Sequence, residues 1–184
     1  MINISHLGAQ IESALGDGRH LGAQIEYSHE AVALETAGGI AQALTLLGHA
    51  PFLAVNADIY CDYDYVRLRP ALEALASQQT AWSAHLVLVD NPEHHAEGDF
   101  CLGSGGELHP SVGKRLTFSG IGVYRPEMFA KITPGERYAL GPLLHSSVAV
   151  QAVRGEHYPG LWMDIGTVQR LQQLRDRLGS TNAC

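Results

Sequence analysis

A short run of apolar residues that ends in polar ones constrains the fold of this 184-residue chain more than any other feature. Residues 51–55 read Pro-Phe-Leu-Ala-Val, and Asn56, Ala57 and Asp58 follow them. A run without alternating polar residues is typical of a strand covered on both faces, as in parallel sheets. Residues 84–89 repeat this pattern, and stretches with helical spacing lie between such runs. The alternation predicts an α/β fold with a doubly wound, mostly parallel sheet.

Hydrophobic spacing and turn residues predict the other elements. A helix is expected over residues 5–16, with Ser5 as its N-cap and Gly16 at its end. Another is expected over residues 40–47, opened by two glycines and capped by Thr36. The remaining predictions are helices over residues 66–76, 126–130, 140–147 and from Val168, strands over 1–4, 23–27, 116–124 and 149–153, and a hairpin around 104–106.

Length and charge limit the classes of function. With 46% hydrophobic residues, the chain is expected to form a single domain over residues 1–184. Its net charge of −7, with 12 Lys and Arg residues, provides no broad cationic surface, so stable nucleic-acid binding is not expected. Small anions can still bind to backbone N–H groups, helix N-termini or a bound cation.

The cysteine pattern bears on the cellular compartment. Cys61, Cys101 and Cys184 lie far apart and form no C-x-x-C pair. This pattern favours reduced thiols over a disulfide framework and is typical of a cytoplasmic protein. The first residues do not resemble a signal peptide, and no apolar run approaches the roughly 20 residues that span a bilayer. A soluble cytoplasmic protein without a membrane partner is therefore expected.

Two carboxylates stand where predicted strands end. Asp58 follows the apolar run, and Asp164 lies in the stretch Trp-Met-Asp-Ile-Gly-Thr at 162–167, before the last helix. Ligands of open parallel sheets bind outside the carboxyl ends of the strands. Mg²⁺ takes one or two carboxylates together with substrate phosphates, so the two residues form a candidate Mg²⁺ site. The alternative is that each carboxylate only caps a turn or helix.

A pair of glycines at the start of a predicted helix is a third candidate feature. Residues 34–40 read Leu-Glu-Thr-Ala-Gly-Gly-Ile. Two glycines allow close approach of a flat ring or a phosphate, and a helix start supplies N–H donors. A tight loop before a helix would explain the same residues without any ligand.

Together these motifs resemble the sugar-1-phosphate nucleotidyltransferases. Residues 35–39 resemble the base-binding loop of that family, 55–58 its first metal motif, 118–121 its sugar-binding strand and 162–167 its second metal motif. Residues 89–95 with 98–100, and residues 155–158, are similar to the branch of N-acetylmuramate α-1-phosphate uridylyltransferases. The likeness extends from residue 1 to about residue 178.

The resemblance implies a Rossmann-like nucleotidyltransferase fold and a Mg²⁺-dependent reaction. A sugar 1-phosphate, here N-acetylmuramic acid 1-phosphate, would attack the α-phosphorus of UTP and give a UDP-sugar and pyrophosphate, in cell-wall sugar recycling. Asp58 and Asp164 would be catalytic residues that hold the metal. The other implied site residues are, for the nucleotide and sugar phosphate, Glu35, Thr36, Ala37, Gly38, Gly39 and Asn56, and, for the sugar, Gly98, Asp99, Ser119 and Gly120.

The family pattern also implies an N-terminal truncation. The family begins with a strand and a glycine-rich loop that carries a basic residue, and no part of this chain matches them. The resemblance therefore predicts a domain that is incomplete at its N-terminus. Weak binding of UTP or another NTP is expected, with a possible homo-oligomer through a bare sheet edge. Ala139 stands where related sequences tend to have Lys.

The roles of two histidines and two basic residues near the implied sugar pocket have alternative explanations. His94 and His95 have no Cys or His at zinc-site spacing, which favours contact with the sugar over a metal site. Lys114 and Arg115 could meet a sugar phosphate or a lactyl carboxylate, and an exposed strand start explains them equally well.

Two other functions compete with the leading one. The first is a non-catalytic remnant that binds a nucleotide-sugar weakly or acts as a regulatory partner. The second is a mannose-1-phosphate guanylyltransferase, with GTP in place of UTP. The muramate-like segments at 94–95 and 156–157 argue against the second.

Overall fold

A computed structural model describes residues 1–77 and 79–181 of the chain. The helices in these ranges are α1 (Gly8–Leu15), α2 (Glu35–Leu47), α3 (Arg69–Ala76), α4 (Leu140–Ala149) and α5 (Val168–Thr181). The strands are β1 (Ile2–Ile4), β2 (Tyr27–His29), β3 (Phe52–Val55), β4 (Ile59–Cys61), β5 (Ala84–Val89), β6 (Phe100–Leu102), β7 (Leu108–His109), β8 (Lys114–Tyr124), β9 (Val153–His157) and β10 (Trp162–Asp164). Short 3₁₀ helices cover Arg19–Leu21, Tyr65–Leu68, Glu93–His95 and Pro126–Phe129.

The central sheet contains six strands, in the order β7-β6-β8-β5-β9, with β3 also paired to β8. Strand β8 is antiparallel to β3, β5 and β6, while β9 is parallel to β5. Strands β3, β5, β6 and β9 therefore run in the same direction. The prediction of an α/β fold with a mostly parallel sheet is confirmed, and β8 is the long reversed strand in its middle.

Packing covers both faces of this sheet. Leu86 and Leu88 of β5 belong to a hydrophobic cluster with residues of α2 and α4. Val87 and Val89 belong to a second cluster on the opposite face, which includes Leu75 of α3. Burial of each of these side chains stabilises the fold by about 1.5–3 kcal/mol. The uninterrupted apolar run of β5 thus reflects a strand with a core on each side.

Two predicted helix starts were wrong. Helix α1 begins at Gly8, because Ser5 still belongs to the extended segment after β1 and Leu7, with φ 58°, is the N-cap. Gly16 ends α1, as predicted, and its N–H donates to the Glu12 carbonyl. Helix α2 begins at Glu35 rather than residue 40, so Thr36 lies inside the helix and does not cap it.

Two predicted strands were displaced. The strand predicted over 149–153 lies at Val153–His157, because helix α4 continues to Ala149. Its buried residues Leu140, Leu144 and Val148 repeat every four positions, which keeps one helix face on the core. The strand predicted over 23–27 lies at Tyr27–His29, where it pairs in parallel with β1. The hairpin around 104–106 is confirmed, since β6 and β7 pair antiparallel on either side of it.

In the described residues, no helix is both long and apolar enough to cross a membrane. Cys61 and Cys101 are free thiols, the second of them buried. Cys184 lies outside the described residues.

Candidate active site

A two-stranded ribbon outside the central sheet brings Asp58 and Asp164 together. Strands β4 and β10 pair antiparallel, with Asp164 opposite Ile59. The N–H of Ile165 donates to the Asp58 carbonyl at 2.8 Å. The prediction that Asp164 ends a strand is confirmed, but that strand belongs to this ribbon and not to the edge of the central sheet.

The two carboxylates face the same small volume beside Gly166. A methyl group at Gly166 would lie 3.1 Å from Asp164 Oδ1 and 3.2 Å from Asp58 Oδ2. Asp58 is exposed, and no hydrogen bond or ion pair joins its carboxylate to another residue of the described chain. The Asp58 oxygens are therefore free to take an external ligand.

Asp164, in contrast, is held by three groups. Its Oδ1 accepts from the N–H of Gly166 at 2.8 Å and from Arg170 Nη2 at 3.1 Å. Its Oδ2 lies 3.4 Å from His94 Nε2. Arg170, on α5, was not recognised in the sequence. A basic residue six positions after a strand-end aspartate, on the first turn of the next helix, was the available signal.

A bulge in β8 forms the neighbouring wall. Val87 of β5 pairs with Ile121 and Leu88 pairs with Phe118, so Ser119 and Gly120 are extra residues on β8. Ser119 is buried, and its hydroxyl donates to the Val87 carbonyl at 2.7 Å.

Gly120 allows Asn56 to lie against this bulge. Its φ is +80°, and an added Cβ would lie 2.8 Å from Asn56 Cγ. The Asn56 N–H donates to the Gly120 carbonyl at 2.9 Å. Trp162 of β10 donates its indole N–H to the Ser119 carbonyl at 2.9 Å, which fastens the ribbon to the bulge.

These groups line one pocket of about 320 Å³. It contains both aspartates, the bulge and two residues of the loop between β5 and β6 that carry imidazoles. Its lining residues are Asn56, Asp58, Ile59, Pro92, His94, His95, Asp99, Thr117, Phe118, Ser119, Gly120, Trp162 and Asp164. Of the residues predicted from sequence, Asn56, Asp58, Asp99, Ser119, Gly120 and Asp164 thus meet here.

Gly98, predicted to contact the sugar, is buried beside the pocket rather than in its lining. Its φ is +62°, and an added Cβ would lie 2.5 Å from Asn91 Oδ1. Its carbonyl accepts from Arg115 Nε at 3.2 Å. Gly98 therefore shapes the loop that carries Asp99.

The predicted base-binding residues lie in the first turns of α2 and do not line this pocket. An added Cβ at Gly38 would lie 2.3 Å from the Glu136 carbonyl oxygen, and one at Gly39 would lie 2.5 Å from Glu30 Oε1. Gly38 is therefore required by close backbone packing, whereas at Gly39 the obstacles are the ends of the Glu30 and Asn3 side chains. Glu35, with φ 60°, pairs with Arg137 at 2.6 Å. Thr36 is exposed and Ala37 is buried. Contact with a nucleotide base stays a prediction for all five residues.

A second polar cluster is centred on Glu156 of β9. It joins the segment that follows β4 to the central sheet. Glu156 accepts from the Tyr63 hydroxyl at 2.8 Å and lies 3.4 Å from both His85 Nε2 and Arg67 Nη2. The hydrogen bond from His85, followed by that from Tyr63, lowers the pKa of the Glu156 carboxyl. Burial, reinforced by Glu156, raises the pKa of Tyr63.

The 155–158 motif thus fastens the chain and does not line the pocket. The Tyr158 hydroxyl donates to Asp62, directly after β4, and the Tyr158 ring packs edge-on against Tyr63. Burial and the bond to Asp62 raise the pKa of Tyr158 to about 12, so its hydroxyl remains a donor at neutral pH.

Known proteins share both the sequence and the fold. The nucleotidyl transferase family model matches residues 1–180. The N-acetylmuramate alpha-1-phosphate uridylyltransferase of Neisseria meningitidis serogroup B is 48% identical over 183 residues, which cover 98% of this chain and 78% of that protein. The protein of the same name from Caulobacter vibrioides is 30% identical over 188 residues, covering 92% and 73%. A mannose-1-phosphate guanylyltransferase catalytic subunit beta from Dictyostelium discoideum is more distant, at 26% identity over 157 residues, covering 80% and 42%.

The crystal structure of HddC from Yersinia pseudotuberculosis superposes with a TM-score of 0.74, covering 96% of this chain and 76% of that one at 14% identity. At that identity the likeness concerns the fold alone, and it confirms a Rossmann-like nucleotidyltransferase fold. With the family match over nearly the whole chain and the predicted family resemblance confirmed, this chain belongs to the nucleotidyl transferase family, among the sugar-1-phosphate nucleotidyltransferases.

Proposed function

We propose that this chain joins N-acetylmuramic acid 1-phosphate to UTP. A phosphate oxygen of the sugar 1-phosphate attacks the α-phosphorus of UTP and forms the new P–O bond. The bond from the α-phosphorus to the oxygen bridging to the β-phosphate breaks, and pyrophosphate leaves with that electron pair. The products are UDP-N-acetylmuramic acid and pyrophosphate. No protein nucleophile is required, because phosphoryl transfer depends mainly on positioning and charge neutralisation.

The observation that carries this proposal is the convergence of Asp58 and Asp164 in one pocket with the Ser119–Gly120 bulge. A cation on the two carboxylates would hold the reacting phosphates, and the bulge beside them would form the sugar site. The choice of sugar and base is supported by the names of the relatives at 48% and 30% identity, which are both uridylyltransferases of N-acetylmuramate 1-phosphate. The guanylyltransferase relatives are less similar, which favours UTP over GTP.

The donor groups fit Mg²⁺. Asp58 offers oxygens with no partner in the described chain, and Asp164 offers Oδ2 with only the 3.4 Å contact to His94. The described residues contain no group of three or more His, Cys, Asp or Glu that could hold a metal by themselves. Mg²⁺ commonly takes one or two carboxylates and completes its shell with water and substrate phosphates. When bound, it would neutralise charge on the reacting phosphates.

The remaining roles belong to the chain's own groups. Asn56, fixed by its contact with Gly120, would orient the sugar phosphate or ribose. Asp99, Ser119 and Gly120 would shape the sugar site, and the helix start at Glu35–Gly39 would approach the uracil through its backbone.

An assay of pyrophosphate release tests the proposal and separates it from its competitors. N-acetylmuramic acid 1-phosphate, N-acetylglucosamine 1-phosphate and mannose 1-phosphate are each offered with UTP and with GTP. The highest kcat/KM is expected for N-acetylmuramic acid 1-phosphate with UTP. A preference for mannose 1-phosphate and GTP would favour the guanylyltransferase, and no turnover with any pair would favour a non-catalytic protein.

Asp58→Asn tests the carboxylate pair. Turnover is expected to fall by about 100-fold or more while the thermal melt is unchanged, because an amide cannot supply the negative charge that holds the cation. Asp17→Asn is the matched control, since Asp17 is an exposed aspartate in a surface pair with Arg19. Unchanged pyrophosphate release in Asp58→Asn would assign Asp58 to a turn instead.

A further inference from the structure

The sugar side of the pocket is formed by two segments of the chain. One is the loop 92–99 between β5 and β6, and the other is the bulged part of β8 at 117–120. Strands β5 and β6 pair with opposite edges of β8, so this loop crosses β8. Pairing with β5 ends at Val89, opposite Thr117, and pairing with β6 begins at Phe100, opposite Leu116. Between these two points the position of the loop depends on contacts other than the strand ladder.

Asn91, the second residue after β5, ties the loop to β8. Its Nδ2 donates to the Ala96 carbonyl at 2.9 Å and to the Arg115 carbonyl at 3.3 Å. Its Oδ1 accepts from the Thr117 hydroxyl at 2.9 Å. Because carbonyl oxygens only accept, the amide can satisfy all three partners in one orientation alone. One side chain thus connects the middle of the loop to two positions of β8.

The chain then passes close to this amide as it enters Asp99. Gly98 has φ +62°, and an added Cβ would lie 2.5 Å from Asn91 Oδ1 and 2.9 Å from the Leu116 carbonyl oxygen. The N–H of Asp99 donates to that same carbonyl at 2.8 Å. The Asn91 amide therefore lies against the turn that sets the start of Asp99.

Asp99 is the acidic residue that this turn brings to the pocket lining. Its Oδ2 accepts from the N–H of Phe118 at 2.8 Å, and its Oδ1 lies 3.0 Å from His95 Nε2. Each carboxylate oxygen has about two lone pairs, so both can accept a further hydrogen bond from a sugar hydroxyl or amide. Asn91 does not itself line the pocket, and it acts by holding a residue that does.

Arg115 holds the same turn from its own side chain. It donates to the carbonyls of Gly98 and Asp99 at 3.2 and 3.3 Å, and to that of Pro110 at 2.9 Å. These bonds do not involve the Asn91 amide. Removal of that amide is therefore expected to loosen the loop without detaching it from β8.

We infer that Asn91 is a positioning residue for the sugar 1-phosphate and acts through Asp99. The inference rests on the proposed function, in which Asp99 belongs to the sugar site. The same loop carries His94, whose Nε2 lies 3.4 Å from Asp164 Oδ2. A disturbance of the cation site through His94 would affect both substrates, since the cation serves the reacting phosphates, whereas a displaced Asp99 affects the sugar alone.

The kinetic test compares the two KM values in the wild type and in Asn91→Ala. The KM for N-acetylmuramic acid 1-phosphate is expected to rise by about tenfold or more, the size of one weakened hydrogen bond to a charged group. The KM for UTP should change much less. In the double variant with Asp99→Ala, the sugar KM should equal that of Asp99→Ala alone, because residues that act as one unit are not additive. Gln172→Ala is the control, since this amide bonds to Asp176 on the surface of α5.

Amide hydrogen exchange, followed by NMR in the free protein, tests the positioning without turnover. In Asn91→Ala the N–H groups of Asp99 and Phe118 should exchange faster, while those in the rest of the central sheet keep their wild-type rates. Unchanged exchange at these two amides, an equal rise in both KM values, or additive effects of the two substitutions would each overturn the assignment of Asn91. A wild type without turnover on any sugar 1-phosphate would overturn the proposed function instead, and the exchange rates would still decide whether Asn91 positions Asp99.

Discussion

The Asp164 carboxylate is held by neighbouring groups at the candidate site. The Gly166 N–H and Arg170 both bind Oδ1, and among the residues that the structure describes only His94 approaches Oδ2. Because two donors fix Oδ1, the oxygen left for a ligand is Oδ2. Groups that orient a ligand carboxylate in this way commonly change metal affinity by an order of magnitude. Arg170 is therefore a positioning residue for the proposed cation site.

Arg170→Met is expected to weaken divalent-cation binding by about tenfold, because Asp164 would lose one of the two donors that fix its Oδ1. Binding is measured by Mn²⁺ titration followed by electron paramagnetic resonance. Arg175→Met, an exposed position on the same helix, is the control. Equal or tighter Mn²⁺ binding in Arg170→Met would mean that the guanidinium competes with the cation instead of positioning its ligand.

The bulge in β8 is the element that joins the central sheet to the ribbon. Ser119 bonds to β5 through its side chain and to Trp162 through its carbonyl. Gly120 leaves the space that Asn56 occupies. Ser119 and Gly120 of the bulge line the pocket, and the sugar-binding role implied for 118–121 stays a prediction.

Gly120→Ala is expected to destabilise the fold by about 1–3 kcal/mol, because Ala is strained at φ +80° and its Cβ would meet Asn56. Turnover should fall as well, since Asn56 must move. Urea denaturation and pyrophosphate release measure the two effects. Gly141→Ala, in α4 with open space around its Cβ position, should be neutral or slightly stabilising. Equal stability of both variants would contradict this account.

At the scale of the whole molecule, Glu156 connects the central sheet to the segment that follows β4. It contacts Tyr63 and Arg67 on that segment and His85 on β5. Because these contacts favour the ionised carboxylate, they lower the Glu156 pKa from its ordinary value of 4.5. A lowered folded-state pKa adds stability above the unfolded-state value, and that stability is lost as the pH falls through the folded-state pKa.

Glu156→Gln is therefore expected to lower the melting temperature at pH 7 and to lower it much less well below pH 4.5. Thermal melts of the wild type and the variant across this range give the difference. Glu73→Gln, an exposed position on α3, should give no pH-dependent difference. A difference for Glu156→Gln that stays constant with pH would mean that its role is packing rather than charge.

Local hydrophobic patterns were enough to predict two strands of the central sheet, β3 and β5. The apolar runs at β3 and β5 predicted both strands to within a residue. Burial on two faces explains the run in β5, whereas in β3 only Phe52 is buried and Val55 is 42% exposed. The same reasoning put Asp58 at a strand end. Helix starts were harder, since Ser5 and Thr36 have the chemistry of caps but lie where the backbone is extended or already helical.

The sequence by itself therefore determined the α/β class, the family and the residue types of the site. The tertiary structure decided how they meet. Asp58 and Asp164 come together because β4 pairs with β10, about a hundred residues further along the chain, and periodicity within either segment carries no information about that partner. Distant contacts likewise set the direction of β8 and its bulge. They also hold the loop on which His94 and His95 both line one pocket. Side-chain spacing reports which face of an element is buried, whereas strand direction and pairing depend on backbone hydrogen bonds to the rest of the fold.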